Sequence, residues 1–269
     1  MALIQVNYLS KALMRTVPVN VVLPVDKLSY ETFSYEFKNG QKFKTLYLLH
    51  GIFGNYTDWV SGTRIQRWAE EKNLAVVMPS GDNAFYVNGP VPTNNYEEFV
   101  AEELVEVTRN MFPLSDKKED TFIAGLSMGG YGALHTGLKY PDTFGYVASL
   151  SGAVSTLWSK ESLLNINVVF GDYEKAVESD KNLKVLVEKM DKNNVPKLFL
   201  ACGKQDVLYK DNLKFVDILK EKGLGLTFYE EDGGHEWDFW DRNIKRVIDW
   251  LPLDAEKNGI NSGNVKIDK

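Results

Sequence analysis

The chain has one cysteine, Cys202, and three histidines, His50, His135 and His235. A single cysteine excludes an intrachain disulfide, and these few ligands spell no familiar zinc set. Basic residues are in deficit: 31 Lys and Arg face 37 Asp and Glu, for a formal charge of -6. That balance gives no support for a nucleic-acid partner. No apolar run approaches the roughly 18 residues of a membrane span. Residues 1–15, MALIQVNYLSKALMR, lack the roughly 7–15-residue apolar centre of a secretory leader. The expectation is a cytoplasmic protein without a membrane or nucleic-acid partner and without a metal.

What remains is 269 residues in which strand and helix patterns alternate. The length suits one large domain. Segments 2–9 and 13–23 read as strands, and with Asn39-Gly40 as a turn they suggest an antiparallel lead-in to a sheet. Further strands are expected at 43–49, 74–78, 121–124, 144–150, 197–201 and 224–229. Helices are expected at 57–72 with Thr57 as N-cap, at 96–111, after Ser127 to Tyr140, at 211–222 up to Gly223, and at the end before Pro252. Alternation of this kind predicts an α/β fold, a mainly parallel sheet with helices on both faces. Residues 80–95 form a long irregular loop. Residues 151–194 break the rhythm and read either as a small cap insertion, with a charged helical stretch at 180–192, or as a surface insertion. The domain is expected to span 1–253, with a polar, mobile tail at 254–269.

The segment 120-DTFIAGLSMGGYGALHTGLKYPD-142 carries the chemistry. Gly125-Leu126-Ser127-Met128-Gly129 is a G-x-S-x-G pattern between an apolar strand and a helix. That is the context of a nucleophile elbow, where glycines two residues either side remove a collision with backbone. Ser127 needs a base. His135, eight residues along the same helix, lies about 12 Å away along its axis. His50 ends a strand ahead of the serine and reads as a residue holding its own loop. His235 follows the strand at 224–229, at the sheet edge where ligands of such folds bind. An orienting carboxylate should fall between serine and histidine in the chain. Asp206 fits, just past the strand at 197–201. Asp211, a plausible helix N-cap, and Asp232 compete with it. An oxyanion hole would use the N–H of Met128 and that of Ile52, or of Phe53. Phe53, Trp59, Phe85, Tyr86 and Trp237 are candidate substrate-pocket residues.

Leu48-Leu49-His50-Gly51, Asp58-Trp59, the block IAGLSMGGYGALHTGLKYPDTFGYVASLSGA, Cys202-Gly203-Lys204-Gln205-Asp206 and Gly234-His235-Glu236-Trp237 together resemble the esterase D-like esterase group of α/β-hydrolases. The resemblance runs from about residue 3 to 253 and is strongest to small bacterial tributyrin esterases. It implies an α/β-hydrolase fold with Ser127, Asp206 and His235 as a catalytic triad. Ile52 and Met128 would be the oxyanion donors, and no cofactor would be needed. The expected reaction is hydrolysis of short-acyl esters, acetyl to butyryl, through an acyl-enzyme. The partner is then a small-molecule ester, with homo-oligomerisation left open. Feruloyl, acetyl-xylan and S-formylglutathione esterases are alternatives within the group. An acyltransferase and a non-catalytic carbohydrate-binding protein are alternatives of another class.

Overall fold

Near-continuous apolar runs, buried on both faces, build the central strands of the sheet. In the computed structural model, which describes residues 1–28, 32–35, 37, 40–159 and 166–253, β1 (Ala2–Ser10) and β2 (Arg15–Leu23) pair antiparallel from Ala2 opposite Leu23 to Ser10 opposite Arg15. Then come β3 (Thr45–Leu49), β4 (Ala75–Pro79), β5 (Thr121–Leu126), β6 (Tyr146–Leu150), β7 (Lys197–Gly203) and β8 (Leu226–Glu231). The order across the sheet is β1-β2-β4-β3-β5-β6-β7-β8. Every pairing from β4 onward is parallel, and β2 meets β4 antiparallel. Asn39 and the expected tail at 254–269 lie outside the described residues.

The helices are α1 (Asp58–Gly62), α2 (Ile65–Glu71), α3 (Tyr96–Glu98), α4 (Leu104–Met111), α5 (Met128–Lys139), α6 (Ile166–Phe170), α7 (Tyr173–Val177), α8 (Leu183–Lys189), α9 (Tyr209–Glu221) and α10 (Trp237–Trp250). Strand alternation sorts the core into two layers. Leu46, Leu48, Phe122 and Ala124 pack with Trp59, Ile65, Ile244 and Val247 of α1, α2 and α10. Tyr47, Leu49 and Ile123 pack on the other face with Leu104, Leu134 and Phe215 of α4, α5 and α9. The expected parallel sheet covered on both faces is present.

Several local expectations are corrected by tertiary contacts. The helix expected at 57–72 is broken at Thr63, whose hydroxyl donates to the Trp59 carbonyl at 2.5 Å and accepts the Ile65 N–H at 3.2 Å. The Arg64 N–H turns out to Asp241 at 2.8 Å. Thr57 stands at the N-cap position of α1 without capping it; its hydroxyl donates to Asn55 Oδ1 at 2.8 Å. The helix at 96–111 contains a π segment, Phe99–Glu103, between α3 and α4. On one side of this wide turn, Glu97 accepts Lys139 Nζ at 2.9 Å and the Tyr140 hydroxyl at 2.8 Å. At its end, Glu103 accepts the Ala12 N–H of the β1–β2 connection at 2.7 Å. The charged stretch at 180–192 is helical only over α8, capped by Asn182, which accepts the Lys184 N–H.

The helix α9 starts two residues before the expected Asp211, which sits inside its first turn and is not its N-cap. The reason is Asp206: its carboxylate accepts the Leu208 N–H at 2.8 Å and its carbonyl the Tyr209 N–H at 3.0 Å. Gly223, at φ +80°, ends the helix as expected.

His135 is buried in α5, stacked on Tyr131 with ring centroids 5.9 Å apart. Neither ring nitrogen has a hydrogen-bond partner among the described residues. Burial drives its pKa down to about 4, against the pull of Glu97 and Asp180 and with the push of Lys139 and Lys181. The imidazole is therefore neutral at pH 7, and its 3.9 Å approach to Glu97 is no ion pair there. Because the folded pKa lies below the unfolded value of 6.5, this stability is complete above that value and is lost as pH falls toward 4. Urea unfolding at pH 7 and pH 5 should show a loss of about 2 kcal/mol that the His135→Leu variant lacks. Equal losses in both proteins would contradict this assignment.

Candidate active site

The site begins with a strained residue. Ser127, between β5 and α5, has φ 53° and ψ -117°, a region that costs a non-glycine residue of order 1–3 kcal/mol. The conformation is held from three sides. The Ser127 N–H donates to the Leu150 carbonyl at 2.9 Å, and its carbonyl accepts the N–H groups of Tyr131 and Ala153 at 3.1 and 3.0 Å. The flanking glycines are required by proximity. A Cβ on Gly125 would lie 2.3 Å from the Gly129 carbonyl oxygen, and one on Gly129 2.4 Å from the Leu49 oxygen.

From this elbow the Ser127 hydroxyl reaches His235 Nε2 at 2.9 Å. On its other edge His235 Nδ1 lies 2.9 and 3.1 Å from the two carboxylate oxygens of Asp206. An ionised carboxylate only accepts, so Nδ1 carries the proton and Nε2 is the acceptor for the serine hydroxyl. Burial pushes the Asp206 carboxyl up, but hydrogen bonds from His235, the Leu208 N–H and the Ser151 hydroxyl outweigh it and hold the group below its usual range. The imidazole is braced edge-on by Trp240, ring centroids 5.0 Å apart, and the Trp240 indole donates to Ser151 Oγ at 3.2 Å. Of the competing acids, Asp232 instead accepts from Gln205 at 3.3 Å. Asp211 accepts the Ser155 hydroxyl at 2.6 Å and Lys214 Nζ at 3.2 Å. Cys202 is buried, and burial, with Asp206 adding to it, raises its thiol to about 12, so it is no thiolate at neutral pH.

The loop after β3 lies beside the elbow, a Cβ on Gly51 falling 3.5 Å from Ser127 Cβ. His50 is neutral and fully committed: Nδ1 donates to the Gly51 carbonyl at 2.6 Å and Nε2 accepts the Gly81 N–H at 2.8 Å. Burial lowers its pKa, against the Gly51 carbonyl and the charges of Asp58 and Asp82. The Phe53 N–H is engaged by Asn83 Oδ1 at 2.8 Å, which leaves Ile52 as the better-placed donor of the two. Met128 opens α5, so its N–H has no intrahelical acceptor.

A cavity of about 590 Å³ lies over the serine, lined by Ile52, Phe85, Ser127, Met128 and His235 and, from the rest of the chain, by Ala153, Ser155, Thr156, Trp158, Val207, Leu208, Asp211 and Lys214. Of the expected pocket aromatics, only Phe85 lines it. Trp59 is core, its indole donating to the Leu49 carbonyl at 3.0 Å. Tyr86 is core as well, its hydroxyl donating to the His50 carbonyl at 3.0 Å. Both hold the start of the loop where it leaves β3. Trp237 packs edge-on against Trp59 and Trp240, and Phe53 is 83% exposed. The lining residues Val207 and Leu208, absent from the sequence expectation, directly follow Asp206, and that adjacency is a readable signal. Trp158 and Ser155 come from the insertion, where spacing gives no signal.

Residues 10–250 match the family described as "Putative esterase". An acetyl esterase of Caldicellulosiruptor saccharolyticus is 39% identical over 263 residues, 93% of this chain and 98% of that protein. Among solved structures, FphF of Staphylococcus aureus, a fluorophosphonate-binding serine hydrolase with substrate bound, superposes with a TM-score of 0.83 at 33% identity. The match covers 94% of this chain and 99% of FphF. The S-formylglutathione hydrolase FrmB of the same organism gives 0.80 at 32% identity, over 93% and 98% of the two chains.

Proposed function

Because the chain belongs to this esterase family and is a carboxylic ester hydrolase of α/β-hydrolase fold, we propose that it is a short-acyl serine esterase with Ser127, His235 and Asp206 as its triad. The observation that carries this reading is the unbroken hydrogen-bond chain from the Ser127 hydroxyl through His235 to Asp206, opening onto the cavity. Ser127 Oγ attacks the ester carbonyl as Nε2 of His235 takes its proton. Asp206 stabilises the imidazolium and fixes its tautomer. The tetrahedral oxyanion is met by the N–H groups of Ile52 and Met128, backed by the N-terminus of α5. His235 then returns the proton to the leaving alcohol. Water, activated by the same nitrogen, attacks the acyl-enzyme and frees the acid and Ser127.

The restriction to acetyl through butyryl groups is supported by the likeness to the acetyl esterase and by the cavity wall. Phe85 closes that wall and is itself clamped by Tyr131 and Phe170, with ring centroids 5.5 and 5.3 Å away. We read residues 151–194 as the cap of this cavity, since Ala153, Ser155, Thr156 and Trp158 line it. Assayed with p-nitrophenyl acetate, butyrate and octanoate and with methyl ferulate, the enzyme should give kcat/KM at least tenfold higher for acetate or butyrate than for octanoate. A preference for octanoate would overturn the short-acyl reading. The likeness to FrmB favours a second reading, thioester hydrolysis of S-formylglutathione, and that compound belongs in the same panel.

A further inference from the structure

The turn that carries Ile52 is built on an unfavourable residue. Gly51-Ile52-Phe53-Gly54 closes on itself through the Gly54 N–H, which donates to the Gly51 carbonyl at 3.2 Å. Phe53, in its third position, has φ 66°, and Ile52 is not among the residues with positive φ. Positive φ at the third position alone makes this a type II turn, where glycine or asparagine is the usual occupant. A phenylalanine there costs free energy, and such a residue persists only where its surroundings hold it. Packing does not supply the hold, because the Phe53 side chain is 83% exposed. The closing hydrogen bond does not supply it either. A type I turn keeps the same bond with negative φ at both central residues, by turning over the peptide between Ile52 and Phe53.

The hold comes from a second loop. The Phe53 N–H belongs to that central peptide and donates to Asn83 Oδ1 at 2.8 Å. Turning the peptide over would carry the N–H away from Asn83. Asn83 is itself presented by a fixed support. It stands in a turn from Gly81 to Ala84, closed by the Ala84 N–H donating to the Gly81 carbonyl at 3.2 Å. The Gly81 N–H donates to His50 Nε2 at 2.8 Å. Asp82 accepts Arg15 of β2 at 2.7 Å and the Tyr96 hydroxyl of α3 at 2.5 Å. Just before this turn, Ser80 Oγ accepts the Tyr56 N–H at 3.2 Å. The two loops are thus joined at His50, Phe53 and Tyr56, and of these bonds the one to Asn83 acts on the central peptide of the Gly51–Gly54 turn.

That turn lies beside the nucleophile, and Ile52 lines the cavity over it. Resting on the esterase reading above, we propose that Asn83 is a positioning residue for the oxyanion hole. Its amide oxygen holds the Ile52–Phe53 peptide in an orientation that the turn does not keep alone, and so fixes the backbone that presents the Ile52 N–H. Asn83 acts through the turn and not on the substrate.

The test is kcat and KM for p-nitrophenyl acetate, with enzyme concentration set by titrating Ser127 with a fluorophosphonate so that misfolded protein is not counted. Asn83→Ala should lower kcat at least tenfold and leave KM within twofold, because oxyanion donors act on charge that appears only as the carbonyl is attacked. Phe53→Gly supplies the second arm. Glycine takes positive φ without steric penalty, so the turn no longer depends on Asn83. Adding Asn83→Ala to Phe53→Gly should then cost less than threefold in kcat. A merely structural role for Asn83 would not depend on residue 53 in this way. With the wild type active, a loss below threefold in Asn83→Ala, a loss in KM instead of kcat, or the same loss in both backgrounds would overturn the role of Asn83 and leave the esterase reading standing. A wild type inert toward the ester would overturn both.

Discussion

Ester turnover by the Ser127→Ala variant should fall by about three to six orders of magnitude, the range seen when a triad nucleophile is removed and only binding and oxyanion stabilisation are left. The fold should survive, because the bonds that fix this residue are made by its backbone to Leu150, Tyr131 and Ala153. Alanine also keeps the Cβ that the strained φ of 53° already accommodates. A fluorophosphonate probe separates the chemistry from the assay. Ser127 Oγ should form the bond to phosphorus with loss of fluoride, and intact-mass measurement should find one adduct on the wild type and none on the variant. Full turnover by the variant, or an adduct mapped to another residue, would reject Ser127 as the nucleophile.

Gly129→Ala should be among the most damaging small substitutions in the site. Its Cβ would meet the carbonyl oxygens of Leu49 and His50 at 2.4 and 2.5 Å. Those atoms are backbone of β3 and of the loop carrying Ile52, and they are pinned by Trp59 and Tyr86. No flexible side chain can yield, so either α5 or the loop must shift. The expected cost is about 3 kcal/mol or more, at the upper end for overpacking. Because the shift would part Ile52 from Met128, kcat should drop in whatever enzyme remains folded. Gly225→Ala is the control: nothing lies within 4 Å of its added Cβ, and its effect should stay within about 0.5 kcal/mol. Chemical unfolding curves for the two variants test the claim, and a Gly129→Ala protein as stable and active as the wild type would defeat it.

The elbow, His235 and Asp206 are legible in the sequence because each stands at the carboxyl end of a strand, and strand ends are marked by apolar runs giving way to Gly, Ser or Asp. The break at Thr63 is not legible, since it depends on Asp241, 177 residues away from Arg64. Asp211 departs from its expected role for a related reason. A local rule makes an aspartate near a helix start a cap, but Asp206 already holds that helix start and frees Asp211 to face the cavity. The aromatics depart furthest from expectation. Trp59 and Tyr86 adjoin the site in sequence, yet each has one polar atom that must find a partner when buried, and they find the carbonyls of Leu49 and His50.

The π segment at Phe99–Glu103 has a mechanical meaning. A regular helix aims one stripe at one neighbour, whereas the wider turn shifts the register of the side chains that follow it. Glu97 grips the far end of the helix that follows Ser127, through Lys139 and Tyr140, while Glu103 grips the outer hairpin at Ala12. This single rod is thus a tie-bar between the sheet's antiparallel border at Ala12 and the far end of the helix that follows Ser127.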